Sequence, residues 1–155
     1  MTTPMPPRER QRLTFRARHR VSRDADYRAA LRAKLRKGAG PLVVFARATD
    51  HAEQAEHAEP RLGLSVGRRV GNAVRRNRIK RLLREAFRLD RDRLPAPPTG
   101  AYDLVVSVKP HEPAGLSAYR GWLADAARRA DAEHRKRARR GGSAAGEGTA
   151  AGVGS

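Results

Sequence analysis

The sequence predicts a single α+β domain with helices packed on one sheet. Three short runs of alternating or β-branched apolar residues stand beside three stretches with helical apolar spacing. The chain has 155 residues, the length of one compact domain with tails. Its Gly- and Pro-rich breakers fall between these runs rather than inside them.

In chain order, residues 1–19 are Pro-rich, then Arg-rich, and read as a basic, flexible extension. "LTFRARHRV" (Leu13–Val21) alternates weakly and is the place for a fourth, short strand. From Asp24 the spacing turns helical, with Tyr27, Ala30, Leu31, Lys34 and Leu35 on one face and Ser22 or Asp24 as cap. "KGAGP" (Lys37–Pro41) ends that helix. "PLVVFARA" (Pro41–Ala48) is a strand, and "TDHAEQAEHAEP" (Thr49–Pro60), with no apolar residue larger than Ala, an acidic loop. "RLGLSVG" (Arg61–Gly67) puts Leu62, Leu64 and Val66 on one side of a half-buried strand. "LPAPPTG" (Leu94–Gly100) is a breaker before the strand "AYDLVVSVKP" (Ala101–Pro110). Ser117 then caps a last helix with Tyr119, Trp122, Leu123, Ala126, Ala127 and Ala130 on its buried face. The domain spans 20–134, and residues 135–155, basic and then Gly/Ala-rich, read as a disordered tail.

Between the second and third of these strands lies "GNAVRRNRIKRLLREAF" (Gly71–Phe87). At roughly 100° per residue, Ile79, Leu82, Leu83, Ala86 and Phe87 fall on one stripe facing a core. Arg76, Lys80, Arg84 and Arg88 recur every four residues across the adjoining arc, and Arg78 and Arg81 widen it. Solvated helix faces mix signs, because like charges at i, i+4 destabilise a helix by a few tenths of a kcal/mol, roughly, per pair. This face lacks that mixing and asks for an outside anion; phosphates supply one, and the free N–H groups of the helix start add to it.

The whole chain points the same way. Its formal net charge is +18, and residues 61–94 hold 12 Lys or Arg against 3 acids, so a basic tail does not account for the excess. A field of this sign implies a polyanionic partner. No run of about 18 apolar residues is present, which excludes a helical membrane span, and the N-terminus lacks a secretory apolar segment; a cytoplasmic location is expected. With no Cys, thiolate chemistry and Cys-based zinc sites are excluded. The five His are scattered, and His51 and His57 with Glu53, Glu56 and Glu59 read as a solvated loop rather than a metal cluster. No phosphate-cradling glycine motif, zinc finger or helix-turn-helix pair appears. Catalysis by the protein's own side chains is not expected.

"RLGLSVGRRVGNAVRRNRIKRLLREAFR" (Arg61–Arg88) closely resembles the signature of the bacterial ribonuclease P protein component, with "RNR" at Arg76, Asn77 and Arg78 as its hallmark. The likeness extends more weakly from about Arg20 to Ala130, through "DADYRAAL" and "YDLVVSVKP". The resemblance implies an α/β sandwich, with helices on a four-stranded sheet and a left-handed βαβ crossover of the kind in ribosomal protein S5 domain 2. It implies the protein subunit of an endoribonuclease that removes the 5′ leader from precursor tRNA. The RNA subunit is the catalyst there, and Mg²⁺ is the cofactor, mainly RNA-bound. The implied partners are the ribonuclease P RNA and precursor tRNA, with no membrane and no small-molecule substrate. The implied RNA-binding residues are Arg68, Arg69, Asn72, Arg76, Asn77, Arg78, Lys80, Arg81 and Arg84. The implied leader cleft, between the first helix and the sheet, holds Tyr27, Leu31, Val43, Phe45 and Ser65; Leu31 stands where the family usually has an aromatic. Composition alone suits a non-enzymatic RNA-binding protein, such as a ribosomal protein, equally well, and the signature is what separates the two.

Overall fold

The computed structural model describes residues 20–21, 24–49, 59–98 and 100–152, the last eleven as backbone. The elements are α1 (Asp24–Arg32), β1 (Arg36–Ala39), β2 (Leu42–Thr49), β3 (Arg61–Ser65), α2 (Ala73–Asp90), β4 (Ala101–Val108) and α3 (Leu116–Gly152). Single 3₁₀ turns, Arg68–Val70 and Arg91–Arg93, flank α2. The sheet has four strands in the order β1-β2-β4-β3. β2 pairs antiparallel with β1 and β4, and β3 pairs parallel with β4 through the α2 crossover.

The fourth strand is not where the sequence predicts it. It is β1, "RKGA", inside the stretch expected to do no more than stop α1. Gly40 and Pro41 form a two-residue hairpin loop that sets Ala39 opposite Leu42. Gly40 stands at φ 53 under the Trp122 indole, where a Cβ would lie 2.4 Å from its Nε1. The helix ends early for the same reason: Lys34 turns at φ 58, and Leu35 passes into the core instead of extending the α1 face. Of Leu13–Val21 only the last two residues are described; Arg20 bridges Leu62 in parallel, and Val21 donates its N–H to the Leu62 carbonyl. The acidic run 50–58 and residues 1–19 lie outside the described residues.

The period-two pattern of the strands sorts the sheet into two faces. Leu42, Val44, Ala46, Leu62, Tyr102, Leu104 and Val106 meet Ile79, Leu83 and Phe87 of α2 and Tyr119, Leu123 and Ala127 of α3 in the main core. α3 lies over β1 and β2, and α2 packs against α3 and β3. Arg120 donates to both carboxylate oxygens of buried Asp90 (3.0 and 2.8 Å), tying the two helices. α3 starts at Leu116, so Ser117 is inside it rather than its cap, and it continues past Arg135 to Gly152. Arg135 donates to the Ala96 carbonyl and Arg137 to the Lys34 carbonyl (2.8 and 2.9 Å), so the helix is tied to the body of the domain at these two residues.

Candidate nucleic-acid interface

α2 separates its two chemistries as its spacing predicts. Ile79, Leu83, Ala86 and Phe87 are buried, and Leu82 is half-buried between the helix and Tyr119. Asn72 is the N-cap: its side-chain oxygen accepts the Arg75 N–H at 2.9 Å. One of the N–H groups expected to meet an anion is therefore satisfied by the chain itself. Arg75 is structural too, its guanidinium donating to the His111 carbonyl.

The remaining cations of α2 fall on two flanks and a crest. On the flank toward β3, where Arg20 and Val21 meet the outer edge of the sheet, Lys80 and Arg84 line a polar pocket of about 150 Å³ with Arg20, Val21, Leu62, Gly63 and Leu64. Burial, and then the nearby charge of Arg20, push the Arg84 guanidinium below its usual pKa. Like charges are gathered there, and a bound anion would relieve them. Arg76, one turn earlier, keeps a buried Nε–H with no hydrogen-bond partner among the described residues. Asn77 and Arg81 form the exposed crest. Arg78 is on the other flank, at the rim of an apolar groove of about 260 Å³ floored by Ile79, Leu82, Pro113 and Tyr119, beside the exposed Val74. Arg68 and Arg69 are exposed on the 3₁₀ turn ahead of the helix. Among the described residues, Arg68, Arg69, Arg76, Arg78, Lys80, Arg81 and Arg84 form no ion pair, whereas Arg88 pairs with Glu85. The sequence gives little notice of Arg20; its place in the basic alternation "RARHR" is the only signal.

The second set of predicted residues lies on the opposite face of the sheet, in rows fixed by strand register. One row is Val43, Ser107 and Ser65, and the next is Phe45, Val105 and Gly63. The third is Arg47, Asp103 and Arg61. α1 crosses this face. Asp103 is fully buried; Arg61 donates to both its oxygens at 2.7 Å and Arg47 to one at 3.1 Å. Both arginines also reach Asp26 of α1, at 3.2 and 3.4 Å, fixing the start of the helix over the third row. Burial raises the Asp26 pKa, but the Arg61 charge and the Arg47 hydrogen bond outweigh it and the carboxyl stays below its ordinary value. Tyr27 follows, half-buried, over Gly63: a Cβ there would stand 3.5 Å from the ring and 3.3 Å from Val105. The tight contacts of such a Cβ are with Val21 (3.2 Å) and Val105, so the glycine serves the packing of those two, and the Tyr27 ring lies at ordinary contact distance. Leu31, one turn on, is 40% exposed; Val43 is buried, Phe45 half-buried beneath the Arg36 guanidinium (5.6 Å to the ring centre), and Ser65 exposed. Tyr27, Val43, Phe45 and Ser65 are thus brought to one face, with Leu31 at its rim. No cluster of three His, Asp or Glu side chains suited to a metal occurs among the described residues.

Comparison with known proteins accords with this geometry. The family model "Ribonuclease P" matches residues 15–140. The ribonuclease P protein component of Oleidesulfovibrio alaskensis is 45% identical over 92 residues, 58% of this chain and 66% of that protein. The corresponding protein of Syntrophus aciditrophicus is 54% identical over 50 residues, 32% of this chain and 39% of that protein. The chain thus matches less than two thirds of the length of these relatives. In structure it is similar to the RNase P protein from Thermotoga maritima, with a TM-score of 0.55 and 26% identity over 71% of this chain and 96% of that one. It is also similar to the RNase P protein of Staphylococcus aureus, with a TM-score of 0.52 and 26% identity over 70% and 91% of the two chains. A match across most of the chain, carried by the same helix and sheet, means that this chain belongs to the ribonuclease P protein family.

Proposed function

We propose that this chain is the protein subunit of a ribonucleoprotein ribonuclease P, binding the catalytic RNA and the 5′ leader of precursor tRNA. The observation that carries this is the division of α2. Its apolar side is consumed by the core, while Arg76, Lys80 and Arg84 stand in a row with no carboxylate partner among the described residues. Held at i, i+4 spacing they repel one another, and RNA phosphates neutralise them with release of counterions. The flank beside β3 is the docking side for the RNA subunit. The face under α1, with Tyr27 and Phe45 as aromatic platforms, takes the single-stranded leader, since stacking tolerates any base.

Chemistry at the scissile bond is assigned to the RNA, with Mg²⁺ held by RNA phosphates. The protein's part is to hold substrate and to lessen repulsion between two polyanions. The test is reconstitution: with ribonuclease P RNA and precursor tRNA, the purified chain lowers the Mg²⁺ concentration needed for 5′ processing. If the Mg²⁺ requirement is the same with and without the chain, this assignment fails.

A further inference from the structure

The segment Arg128–Arg140 of α3 carries seven Arg or Lys against two acids. Three of the seven hold the helix to the body: Arg129 donates to the Gly38 carbonyl at 3.1 Å, Arg135 to Ala96 and Arg137 to Lys34. The same three pair with the acids within reach, Asp125, Asp131 and Glu133. Tyr102 adds a hydrogen bond to Asp131 at 2.7 Å. The carboxylates of this stretch are therefore occupied. Arg128, Lys136, Arg139 and Arg140 are exposed and form no ion pair among the described residues. At about 100° per residue they span one arc opposite the buried Ala126, Ala127 and Ala130.

We infer that this arc is a second RNA-binding surface, separate from that of α2, which grips the phosphate backbone of a folded RNA. Its position supports this. α3 lies over β1 and β2, and its end is clamped by the α1–β1 turn and the loop after α2. The Lys80–Arg84 flank stands at the β3 edge, the opposite edge of the sheet from β1. At about 4.8 Å per strand the two surfaces are too far apart to share one phosphate. The arc holds no large apolar side chain to enter a lipid interface, so RNA suits it better than an anionic membrane. Clamping by backbone carbonyls presents the four charges on a rigid rod about 18 Å long.

The inference rests on the chain being a ribonuclease P protein, and the test separates the two. Arg128, Lys136, Arg139 and Arg140 are replaced together by Ala in the full chain, substitutions an exposed helix tolerates. Binding to ribonuclease P RNA, and of precursor tRNA to the reconstituted enzyme, is then followed against salt. Removing four cations from the phosphate backbone lowers the slope of log K against log salt by about three in one of the two titrations. A fall in the first places the arc on the RNA subunit, and in the second on the substrate. A companion variant, Arg128→Lys with Arg139→Lys and Arg140→Lys, retains the wild-type slope. Wild-type slopes for the alanine variant in both titrations overturn the inference. So does loss of binding to phosphatidylserine vesicles with RNA binding unchanged. Failure of the wild-type chain to stimulate the RNA at all would instead overturn the family function.

Discussion

Asp103 shows how a single residue decides what the face beneath α1 can be. A carboxylate taken wholly out of water is tolerated only with full charge-assisted pairing, and Arg61 and Arg47 supply it. Because both arginines also hold Asp26, the start of α1 is pinned at one end of the face, and Tyr27 is set over Gly63. None of this was legible in the sequence: Asp26, Arg47, Arg61 and Asp103 come from four different elements, strand register brings the last three into one row, and the crossing of α1 brings Asp26 to it. Tyr27 was legible as half of a choice between core and cleft. The structure leaves Tyr27 half-buried, while Ala30 on the same helix and Val105 on β4 are fully buried. Replacing Tyr27 with Ala is therefore expected to leave folding intact. It should weaken binding of precursor relative to mature tRNA by about 1–3 kcal/mol, the cost of one lost stacking platform. Competition between the two tRNAs for the reconstituted enzyme measures it. Equal losses for both substrates would place Tyr27 outside the leader path.

At the scale of elements, strands and helices with one clean period were readable, and those shaped by turns were not. β3 alternates, β2 and β4 are apolar, β-branched runs, and α2 repeats its apolar stripe every 3.6 residues, so their existence follows from pattern, while burial of β2 and β4 on both faces does not follow from alternation. β1 has no β-branched residue and is followed by Gly-Pro, so it looks like a breaker; pairing with β2 makes it a strand. The continuation of α3 was hidden because it is held by arginine bonds to distant carbonyls rather than by apolar burial. The two core helices are joined at their polar margin by Asp90 and Arg120. Two hydrogen bonds from Arg120, opposed by burial and helped by the Arg120 and Arg93 charges, hold the Asp90 carboxyl below its ordinary pKa. A carboxyl lowered on folding contributes stability that is complete above its unfolded value near 4 and is lost as pH falls through the folded one. Urea midpoints of the wild type should therefore drop more steeply below about pH 4 than those of Asp90→Asn, and the gap between the two should close in acid. Curves that stay parallel from pH 6 to 3 would mean that the tie between the helices is neutral.

For the whole molecule, the same charge that selects the partner strains the free protein. The chain's net charge is +18, and part of the cationic excess lies at both edges of one small sheet, at the Lys80–Arg84 flank and on the outer arc of α3. Against it stand a few well-made ion pairs, those of Asp103, Asp26 and Asp90, which are short-ranged and partly shielded from solvent. Repulsion between exposed cations is long-ranged and is screened over about 30 Å at 0.01 M salt and about 10 Å at 0.1 M. Salt should therefore remove much of the repulsion while leaving the buried pairs nearly intact. The melting temperature of the free chain is expected to rise by several degrees between about 10 and 150 mM sodium chloride. It should rise further with phosphate at equal ionic strength, because an anion bound to the folded state alone adds its own stabilisation. Calorimetry of the chain without RNA measures this. A melting temperature that falls with salt would show that attraction within the ion pairs outweighs the repulsion, and the cationic surfaces would then need no partner to be stable.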